Sequence, residues 1–456
     1  MGASHVSRRR VLQGIGAGAA LSMVGGVPAW GRSSGHRLVL PPGTRPDPTK
    51  PEGADLLPEI EHIVIYMQEN HSFDNYLGML GRGDGFTRVG GVPTNSNPDG
   101  KGGHATVFKA TQTCDVLDGA SQSWNSSHRS WNNGGMDGFV TAAGGATGSM
   151  AYYDGTDLPF YYGLANTFPL CDRWFASVLG QTHPNRRFLL CGSALGTINT
   201  IVGENDVPLP KNGTIVEMLN RYGISWLDYN TVIPSLFLFP SVYAKNDDKT
   251  PKIEQFFTDA AAGTLPSFSL VESNGETSSE EDPQDISMGE AFTAKVVNAV
   301  MHGPKWSKTV LVLCYDEHGG YYDHVAPPRD VAPDNIKPIA KIHPDDHLDG
   351  LPRELPGDYT RLGFRVPAVV VSPFAKKDYV SHVVHDHTSI LSLVEHKWNL
   401  PALTNRDAAA DNLLDCLDLR SPPAFLDPPK LPAPKNTTGA PLCTIGQPGP
   451  IPNPAG

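Results

Sequence analysis

The sequence is poor in charged residues and lacks any pair of cysteines spaced like the ligands of a structural zinc site. Charged residues make up 18% of its 456 residues, against roughly 25% in an average globular protein. Its 36 lysines and arginines are outnumbered by 48 aspartates and glutamates, which argues against a broad nucleic-acid-binding surface. After the first thirty residues, no apolar run reaches the length of a transmembrane helix. The sequence therefore predicts an acidic globular protein that does not bind nucleic acids.

Glycine and proline, in contrast, are abundant, with 47 and 41 residues. Between the turn-rich stretches lie three short apolar runs, at residues 60–67, 309–315 and 366–371, which are typical of buried strands. Helical patterns at residues 289–301 and 389–398 alternate with them. This order predicts an α/β fold with a mostly parallel central sheet, flanked by helices and connected by long loop excursions. In such sheets, ligands bind at the carboxyl ends of the strands.

The N-terminus has the pattern of an export signal. Arg8, Arg9 and Arg10 precede a short apolar stretch rich in glycine and alanine, and residues 27–29 offer a signal-peptidase site. The pattern resembles a twin-arginine signal, with a short membrane anchor as the alternative. We expect export to the periplasm, the cell wall or the medium, where the six cysteines could form disulfides of undetermined pairing. The expected organisation is a signal peptide at 1–29, an extended leader at 30–57, a catalytic domain at 58–420 and a proline-rich tail at 421–456.

Acidic and amide side chains follow two of the predicted strands at the point where each strand ends. Glu69 and Asn70 come directly after the first run, and Asp316 and Glu317 come directly after the second. Burying such carboxylates together is costly unless a positive charge lies between them. A divalent metal ion with oxygen ligands would remove that cost. The alternative is that these are solvated loop carboxylates that cap helices.

A third polar segment, residues 181–187 (QTHPNRR), precedes an apolar helical run. Pro184 suits the first position of a helix, with Thr182 or His183 as the cap. The free backbone N–H groups of a helix N-terminus attract phosphate, and a hydroxyl group placed there beside a metal ion is a candidate nucleophile. The alternative is ordinary capping by a threonine.

Several of the 16 histidines lie among polar residues. A histidine can protonate a leaving group or bind phosphate oxygens. The candidates are His128, His318, His324, His385 and His387. Each of them could instead be an ordinary loop histidine without a part in catalysis.

Five segments, in this order along the chain, resemble the motifs of one known family. They are residues 60–78 (IEHIVIYMQENHSFDNYLG), 128–139 (HRSWNNGGMDGF), 181–186 (QTHPNR), 315–328 (YDEHGGYYDHVAPP) and 384–390 (VHDHTSI). The family is that of the bacterial phosphoesterases, which contains phosphatidylcholine-type phospholipases C and related acid phosphatases. The resemblance covers residues 58 to 420 and implies an alkaline phosphatase-like fold, in which the nucleophile caps a helix beside a metal ion.

The resemblance implies a role for each matching residue. Thr182 takes the place of the nucleophile, and His128 contacts the phosphate or assists proton transfer. His128 or His324 is then our candidate for the acid that protonates the leaving alkoxide. The implied ligands of the divalent metal ion are Glu69, Asn70, Thr182, Asp316 and Glu317.

We further expect His318 and His387 to bind the substrate. At one position that concerns substrate binding, the sequence departs from the family. Family members usually have a histidine before the proline upstream of the Asp-Glu-His-Gly-Gly motif, and here Asp282 precedes Pro283. Asp282 would therefore contact the substrate in place of that histidine, which puts the pH optimum and full activity in question.

We interpret the chain as an exported, metal-dependent phosphoric ester hydrolase, and specifically as a phospholipase C that acts on phosphatidylcholine-type lipids. One alternative is an acid phosphatase that hydrolyses phosphomonoesters. Another is a catalytically inactive phosphate-binding protein, motivated by the departure at Asp282. The expected partner is a phospholipid or a small phosphoester, with transient contact to a membrane surface.

Overall fold

The longest apolar runs of the sequence form the centre of one large sheet. The computed structural model describes residues 38–114, 121–200, 209–273, 278–281, 284–339 and 357–443. All of these residues belong to one compact unit, residues 36–456. The proposed signal peptide at residues 1–29 and Asp282 lie outside the described residues.

The strands and helices of the described residues are the following. The strands are β1 (His62–Gln68), β2 (Arg88–Val89), β3 (Val92–Pro93), β4 (Ser96–Pro98), β5 (His104–Thr106), β6 (Phe108–Lys109), β7 (Ala151–Tyr152), β8 (Leu170–Cys171), β9 (Trp226–Tyr229), β10 (Phe268–Glu272), β11 (Thr309–Tyr315), β12 (Ala368–Val371) and β13 (Val380–Ser381). The helices are α1 (Phe73–Leu77), α2 (Trp124–Trp131), α3 (Phe139–Ala142), α4 (Pro159–Thr167), α5 (Thr182–Cys191), α6 (Ile215–Arg221), α7 (Pro240–Tyr243), α8 (Ile253–Ala262), α9 (Ile286–Met301), α10 (His387–Trp398) and α11 (Asn405–Ala409).

Seven strands form the central sheet in the order β13-β8-β12-β11-β1-β10-β9. β1 pairs in parallel with both β10 and β11, and β9 continues the parallel set beyond β10. Only β12 runs against its two neighbours in this sheet, β11 and β8. Every residue of β1 and β11 is buried, which explains why their sequences are continuous apolar runs rather than alternating ones. The predicted α/β fold with a mostly parallel sheet and flanking helices is confirmed.

The predicted elements differ from the observed ones mainly at their ends. β12 begins at Ala368 rather than at residue 366, because Pro367 lacks the N–H group that a strand inside the sheet must donate. α9 begins three residues earlier than predicted, where the Asp285 side chain caps it by accepting from the N–H of Ser287. β10 is not among the predicted strands. It is short but fully buried, and it adds a third strand end beside β1.

The segments outside the sheet are tied to it at several points. In the loop-rich segment between α1 and α4, Phe139, Met150 and Tyr152 belong to a small separate core. The described part of the tail, 421–443, packs against the domain, since Trp306 donates to the carbonyl of Phe425 and Cys443 forms a disulfide with Cys114. Among the described residues, no helix combines the length and the apolar character needed to cross a bilayer.

Candidate active site

Two polar segments meet where β1 and β11 end. The parallel register pairs Gln68 with Tyr315, so the residues that follow, Glu69 and Asp316, leave the sheet side by side. The backbone N–H of Asn70 donates to Oδ1 of Asp316 over 3.2 Å. The sheet thus brings together residues that are almost 250 positions apart, and it places them at the carboxyl ends of its central strands.

An asparagine and a glycine allow these two segments to approach closely. Asn70 has a φ of 68°, in the left-handed region that asparagine tolerates better than most residues. A β-carbon at Gly319 would lie 1.8 Å from the carbonyl oxygen of Asn70, so only glycine fits at position 319. The N–H of Gly319 donates to Oε2 of Glu317 over 2.8 Å, which fixes that carboxylate.

A buried arginine, which the sequence analysis did not select, lies between the carboxylates. Nε of Arg186 donates to Oδ2 of Asp316, and Nη2 donates to Oε1 of Glu69, each over 3.1 Å. Nη1 donates to Oε2 of Glu272, the last residue of β10, and to Oγ of Ser235 over 3.2 Å. Glu272 could have been found by the signal that singled out Glu69, an acidic residue at the end of a buried strand. We call Arg186, Glu69, Glu272, Asp316 and Glu317 the Arg186 cluster.

Helix α5 carries both Arg186 and the predicted nucleophile Thr182. The helix begins at Thr182 with Gln181 as its N-cap, two residues before the start that Pro184 suggested. Pro184 is tolerated there because the first N–H groups of a helix have no partner within it. Thr182 and Arg186 are four residues apart and therefore lie on the same face of the helix. The half-buried Thr182 hydroxyl group thus stands one turn before the arginine that the carboxylates surround.

Carboxyl groups outnumber cationic side chains in the Arg186 cluster. Burial, reinforced by the neighbouring charge of Asp316, raises the pKa of Glu69 and of Glu317 well above the ordinary value for a glutamate. Burial opposes the charge of Arg186, but Glu272 and the other carboxylates outweigh it and raise the pKa of the guanidinium. The arginine is therefore always charged, and it leaves a surplus of buried carboxylate that a further cation would neutralise.

Two oxygen atoms beside this surplus have no hydrogen-bond partner among the described residues. They are Oδ1 of Asn70 and Oε1 of Glu317, both buried. Buried polar atoms without partners are rare, and oxygen atoms of this kind are the ligands that hard divalent cations prefer. The residues present therefore fit such a cation. In the part of the chain that the structure describes, however, no three carboxylates here present oxygens within 4.8 Å of one another.

The one group of side chains that does meet at that distance within the described residues lies elsewhere. It consists of Cys114, Asp285 and Cys443, and the two sulfur atoms are already joined in the disulfide. A disulfide does not offer the thiolate ligands that a metal ion requires. The group is therefore a structural cross-link of the tail rather than a metal site.

The segment at residues 278–281 adds a further acidic side chain to the Arg186 cluster. Oγ of Ser279 donates to Oε2 of Glu69 over 3.2 Å, and the Glu281 carboxyl group lies within hydrogen-bonding reach of Glu69 and Asn70.

The neighbouring Glu280 has a separate set of partners. Burial raises the pKa of Glu280 to about 8, although three tyrosines donate to its carboxylate. The three are Tyr76, Tyr161 and Tyr315. Because Asp282 lies outside the described residues, its predicted contact with the substrate stays a prediction.

His318 and His387, predicted to bind the substrate, are both buried next to the carboxylates. Nδ1 of His318 lies 3.3 Å from Oε2 of Glu317, and burial lowers the pKa of His318 to about 3. Nε2 of His387 donates to the carbonyl of Asp316 over 2.7 Å, and burial lowers its pKa as well. Nε2 of His318 and Nδ1 of His387 have no hydrogen-bond partner among the described residues. Both rings are therefore neutral, and each keeps one nitrogen available.

His128 lies on α2, outside the Arg186 cluster. Its Nδ1 donates to the carbonyl of Trp124 over 2.7 Å, and its ring lies against the ring of Trp124. The same tryptophan ring reaches within 3.7 Å of the β-carbon position of Gly180, just before α5 begins. Burial lowers the pKa of His128. Because Nδ1 is committed to a carbonyl, Nε2 is the nitrogen that can exchange a proton.

His324, the other predicted acid, has both ring nitrogens on carboxylates. Nδ1 lies 2.6 Å from Oδ2 of Asp74, and Nε2 lies 3.3 Å from Oδ1 of Asp84. The guanidinium of Arg365 in turn contacts Asp74 over 3.1 Å and Asp323 over 2.9 Å. We call these five residues the Arg365 cluster. Within the described contacts it does not include any member of the Arg186 cluster, and His324 is held as part of an ion network.

Comparison with known proteins identifies a family. A model of the Phosphoesterase family matches residues 60–401. The chain is 30% identical to the non-hemolytic phospholipase C of Pseudomonas aeruginosa, a match that covers 75% of this chain and 54% of that protein. It therefore spans about half the length of the Pseudomonas enzyme. It is also 30% identical to phospholipase C B of Mycobacterium tuberculosis, with 86% of this chain and 84% of that protein covered.

A relative outside the bacteria and two solved structures are also similar. Non-specific phospholipase C1 of Arabidopsis thaliana is 30% identical, over 82% of this chain and 74% of that protein. A protein in the alkaline phosphatase superfamily from Vibrio parahaemolyticus matches with a TM-score of 0.39 and 10% identity, covering 78% of this chain and 71% of that one. The lipoteichoic acid synthase LtaP of Listeria monocytogenes matches with a TM-score of 0.39 and 8% identity, covering 77% and 75%.

Proposed function

Since the chain belongs to the Phosphoesterase family, we propose that it is an exported, metal-dependent phospholipase C with Thr182 as its nucleophile. The relatives named phospholipase C support a phospholipid as the substrate. The observation that carries the proposal is the position of Thr182 at the start of α5, one turn before the arginine that the carboxylates of three strand ends surround.

In this proposal, Glu69, Asn70, Asp316 and Glu317 would hold the divalent cation together with Thr182. Oxygen atoms without partners on Asn70 and Glu317, and the surplus of buried negative charge, support this set of ligands. Such a cation would lower the pKa of the Thr182 hydroxyl group and offset the charge of the phosphate.

The chain's own residues provide the remaining steps. Oγ of Thr182 attacks phosphorus, the bond from phosphorus to the leaving oxygen breaks, and a phosphoryl-threonine ester remains until water hydrolyses it. The backbone N–H groups of Thr182 and His183, at the start of α5, stabilise the negative charge that develops on the phosphoryl oxygens. Nε2 of His128 carries no proton while Nδ1–H donates to the carbonyl of Trp124, so it accepts the proton of the Thr182 hydroxyl group and then donates that proton to the leaving alkoxide. We assign this role to His128 because both nitrogens of His324 face carboxylates. The neutral rings of His318 and His387 border the site and orient the substrate.

Export is part of the same proposal. The disulfide between Cys114 and Cys443 supports an oxidising compartment, since disulfides form and persist outside the reducing cytoplasm. The twin-arginine pattern supports transport across the cytoplasmic membrane after folding. Fractionation of cells that express the full chain tests it, because replacing Arg8 and Arg9 by lysine should leave the protein in the cytoplasm.

The test of the activity uses the purified protein, a choline phospholipid, p-nitrophenyl phosphorylcholine and p-nitrophenyl phosphate. We expect both diesters to be hydrolysed and the monoester to be a poor substrate. Thr182→Ala should lower turnover of the diesters by at least about a thousandfold, while Thr182→Ser should keep part of it. Near wild-type turnover by Thr182→Ala would exclude the proposed nucleophile. A clear preference for the monoester would identify an acid phosphatase instead.

A further inference from the structure

The guanidinium group of Arg186 is surrounded by oxygen atoms of the type that also bind divalent metal ions. It contacts four oxygen atoms from four different residues, each on a different element or loop. The contacts are Oε1 of Glu69, Oγ of Ser235, Oε2 of Glu272 and Oδ2 of Asp316. All four of these residues are buried. Hard divalent cations bind carboxylate and hydroxyl oxygens of this kind.

The oxygen atoms of the cluster divide into two sets. Oε1 of Glu69 and Oδ2 of Asp316 face Arg186. On the other side, Oδ1 of Asp316 accepts from the N–H groups of Asn70 and Glu317. The atoms without partners, Oδ1 of Asn70 and Oε1 of Glu317, belong to these same two residues. The carboxylate of Asp316 therefore lies between oxygen atoms that accept hydrogen bonds from Arg186 and oxygen atoms that have no hydrogen-bond partner among the described residues.

We propose that the Arg186 guanidinium occupies a second cation position, and that it limits the chain to one divalent metal ion. The inference rests on the proposed metal dependence and adds the number of ions to it. An arginine keeps its single positive charge at any pH at which the protein is folded, and its planar fork contacts several carboxylates at once. A metal ion in the same place would depend on supply and could dissociate.

The position of Arg186 on α5 gives this arrangement a structural consequence. Thr182 and Arg186 are on one helix. The guanidinium group that contacts the three carboxylates is therefore covalently attached to the helix that carries the nucleophile. Contacts from the guanidinium to the ends of three strands thereby fix the start of α5 against the sheet. A free metal ion could not make that connection.

The test counts metal ions bound by the full-length mature protein. Wild type, Arg186→Gln and Arg186→Lys are dialysed separately against Mn²⁺, Ca²⁺ and Zn²⁺, and the metal per chain is measured by mass spectrometry. We expect about one ion in wild type and in Arg186→Lys, and about two in Arg186→Gln, for at least one of the three metals. The matched control is Arg187→Gln, the adjacent arginine on α5, which contacts Thr197 and the carbonyl of Leu238 and should stay at about one ion.

The outcomes separate the inference from the proposed function. One ion in both wild type and Arg186→Gln, or two ions in wild type, would overturn the inference. No ion in wild type would contradict the proposed metal dependence, yet a gain of one ion in Arg186→Gln would still support the role of the guanidinium. If Arg186→Gln does not fold without metal, it is refolded in the presence of each metal and then dialysed. About two ions in the refolded variant would support the inference, and about one ion would overturn it.

Discussion

The Arg186 cluster and the Arg365 cluster are both built around a buried arginine, but their balance of charge differs. In the Arg186 cluster, one guanidinium faces the carboxylates of Glu69, Glu272 and Asp316, with Glu317 beside them. In the Arg365 cluster, three carboxylates meet three cationic groups once the edge residue Arg173 is included. The carboxylates are those of Asp74, Asp84 and Asp323, and the cations are Arg365, His324 and Arg173.

The difference in charge balance indicates that the Arg186 cluster binds a ligand and that the Arg365 cluster stabilises the fold. A balanced, hydrogen-bonded ion network needs no further partner and holds its elements together. A cluster with surplus carboxylate and oxygen atoms without partners is unfavourable by itself, and such strain is tolerated where a ligand relieves it. The two clusters contain similar residue types, so the distinction between them depends on geometry and charge rather than on composition.

The largest expected effect separates the two clusters by activity. Glu317→Gln removes a surplus charge and a proposed metal ligand, and it should lower kcat/KM on a phosphodiester by on the order of 100-fold or more. Asp74→Asn in the Arg365 cluster should lower it less than about tenfold in the folded protein. Steady-state kinetics on the two variants measures the contrast. A greater loss in Asp74→Asn would show that the Arg365 cluster takes part in catalysis.

Stability should show the opposite contrast. Arg365→Met leaves the carboxylates of Asp74 and Asp323 buried without their cation, and it should cost about 3–5 kcal/mol in the free energy of unfolding. Arg361→Gln is the matched control, because Arg361 is only half-buried and donates to the carbonyl of Pro327, and it should cost less than about 1 kcal/mol. Denaturant titrations measure both. Equal losses in the two variants would refute the special role of Arg365.

The pH dependence of stability should reveal His324. Burial opposes its charged form, but the ion pair with Asp74 and the nearby Asp323 raise the pKa of His324 to about 9. A histidine with a raised pKa stabilises the fold fully below its unfolded pKa of about 6.5, and the contribution is lost as the pH rises through about 9. The loss should be no more than about 3 kcal/mol, and His324→Gln should remove it. A wild-type stability that is flat from pH 6.5 to 9.5 would contradict the ion pair.

The smallest effect is expected at the edge of the Arg365 cluster. Nη2 of Arg173 lies 2.7 Å from Oδ2 of Asp84, but both side chains are partly exposed, at 28% and 39%. Solvent weakens such a pair, so Arg173→Gln should cost at most about 1 kcal/mol in the free energy of unfolding. A loss as large as that of Arg365→Met would show that the network is not dominated by its buried centre.

Much of the fold could be predicted because its central strands are continuous apolar runs. The residues after 60–67 and 309–315 were predicted to lie together, and the register that pairs Gln68 with Tyr315 explains why they do. The predicted α/β fold and the resemblance to the phosphoesterases are confirmed. The roles of Thr182, His128, His318 and His387, and the metal ion, stay predictions.

Arg186 could not be assigned from the sequence for a physical reason. Its partners Glu69, Glu272 and Asp316 are between 86 and 130 positions away along the chain, and only the sheet brings them to one point. The contacts from both nitrogens of His324 to carboxylates could not be predicted either, since Asp74 and Asp84 lie far from it along the chain. Local motifs thus predicted which strand ends meet, but not the contacts that Arg186 and His324 make there.

We propose above all that Thr182, beside the Arg186 cluster, forms a covalent bond to phosphorus. Rapid mixing with p-nitrophenyl phosphorylcholine, acid quenching and peptide mass spectrometry test it directly. We expect a burst of p-nitrophenol and a phosphorylcholine adduct on the peptide that contains Thr182, with no adduct in Thr182→Ala. Rapid turnover without an adduct, or an adduct on another residue, would contradict the account.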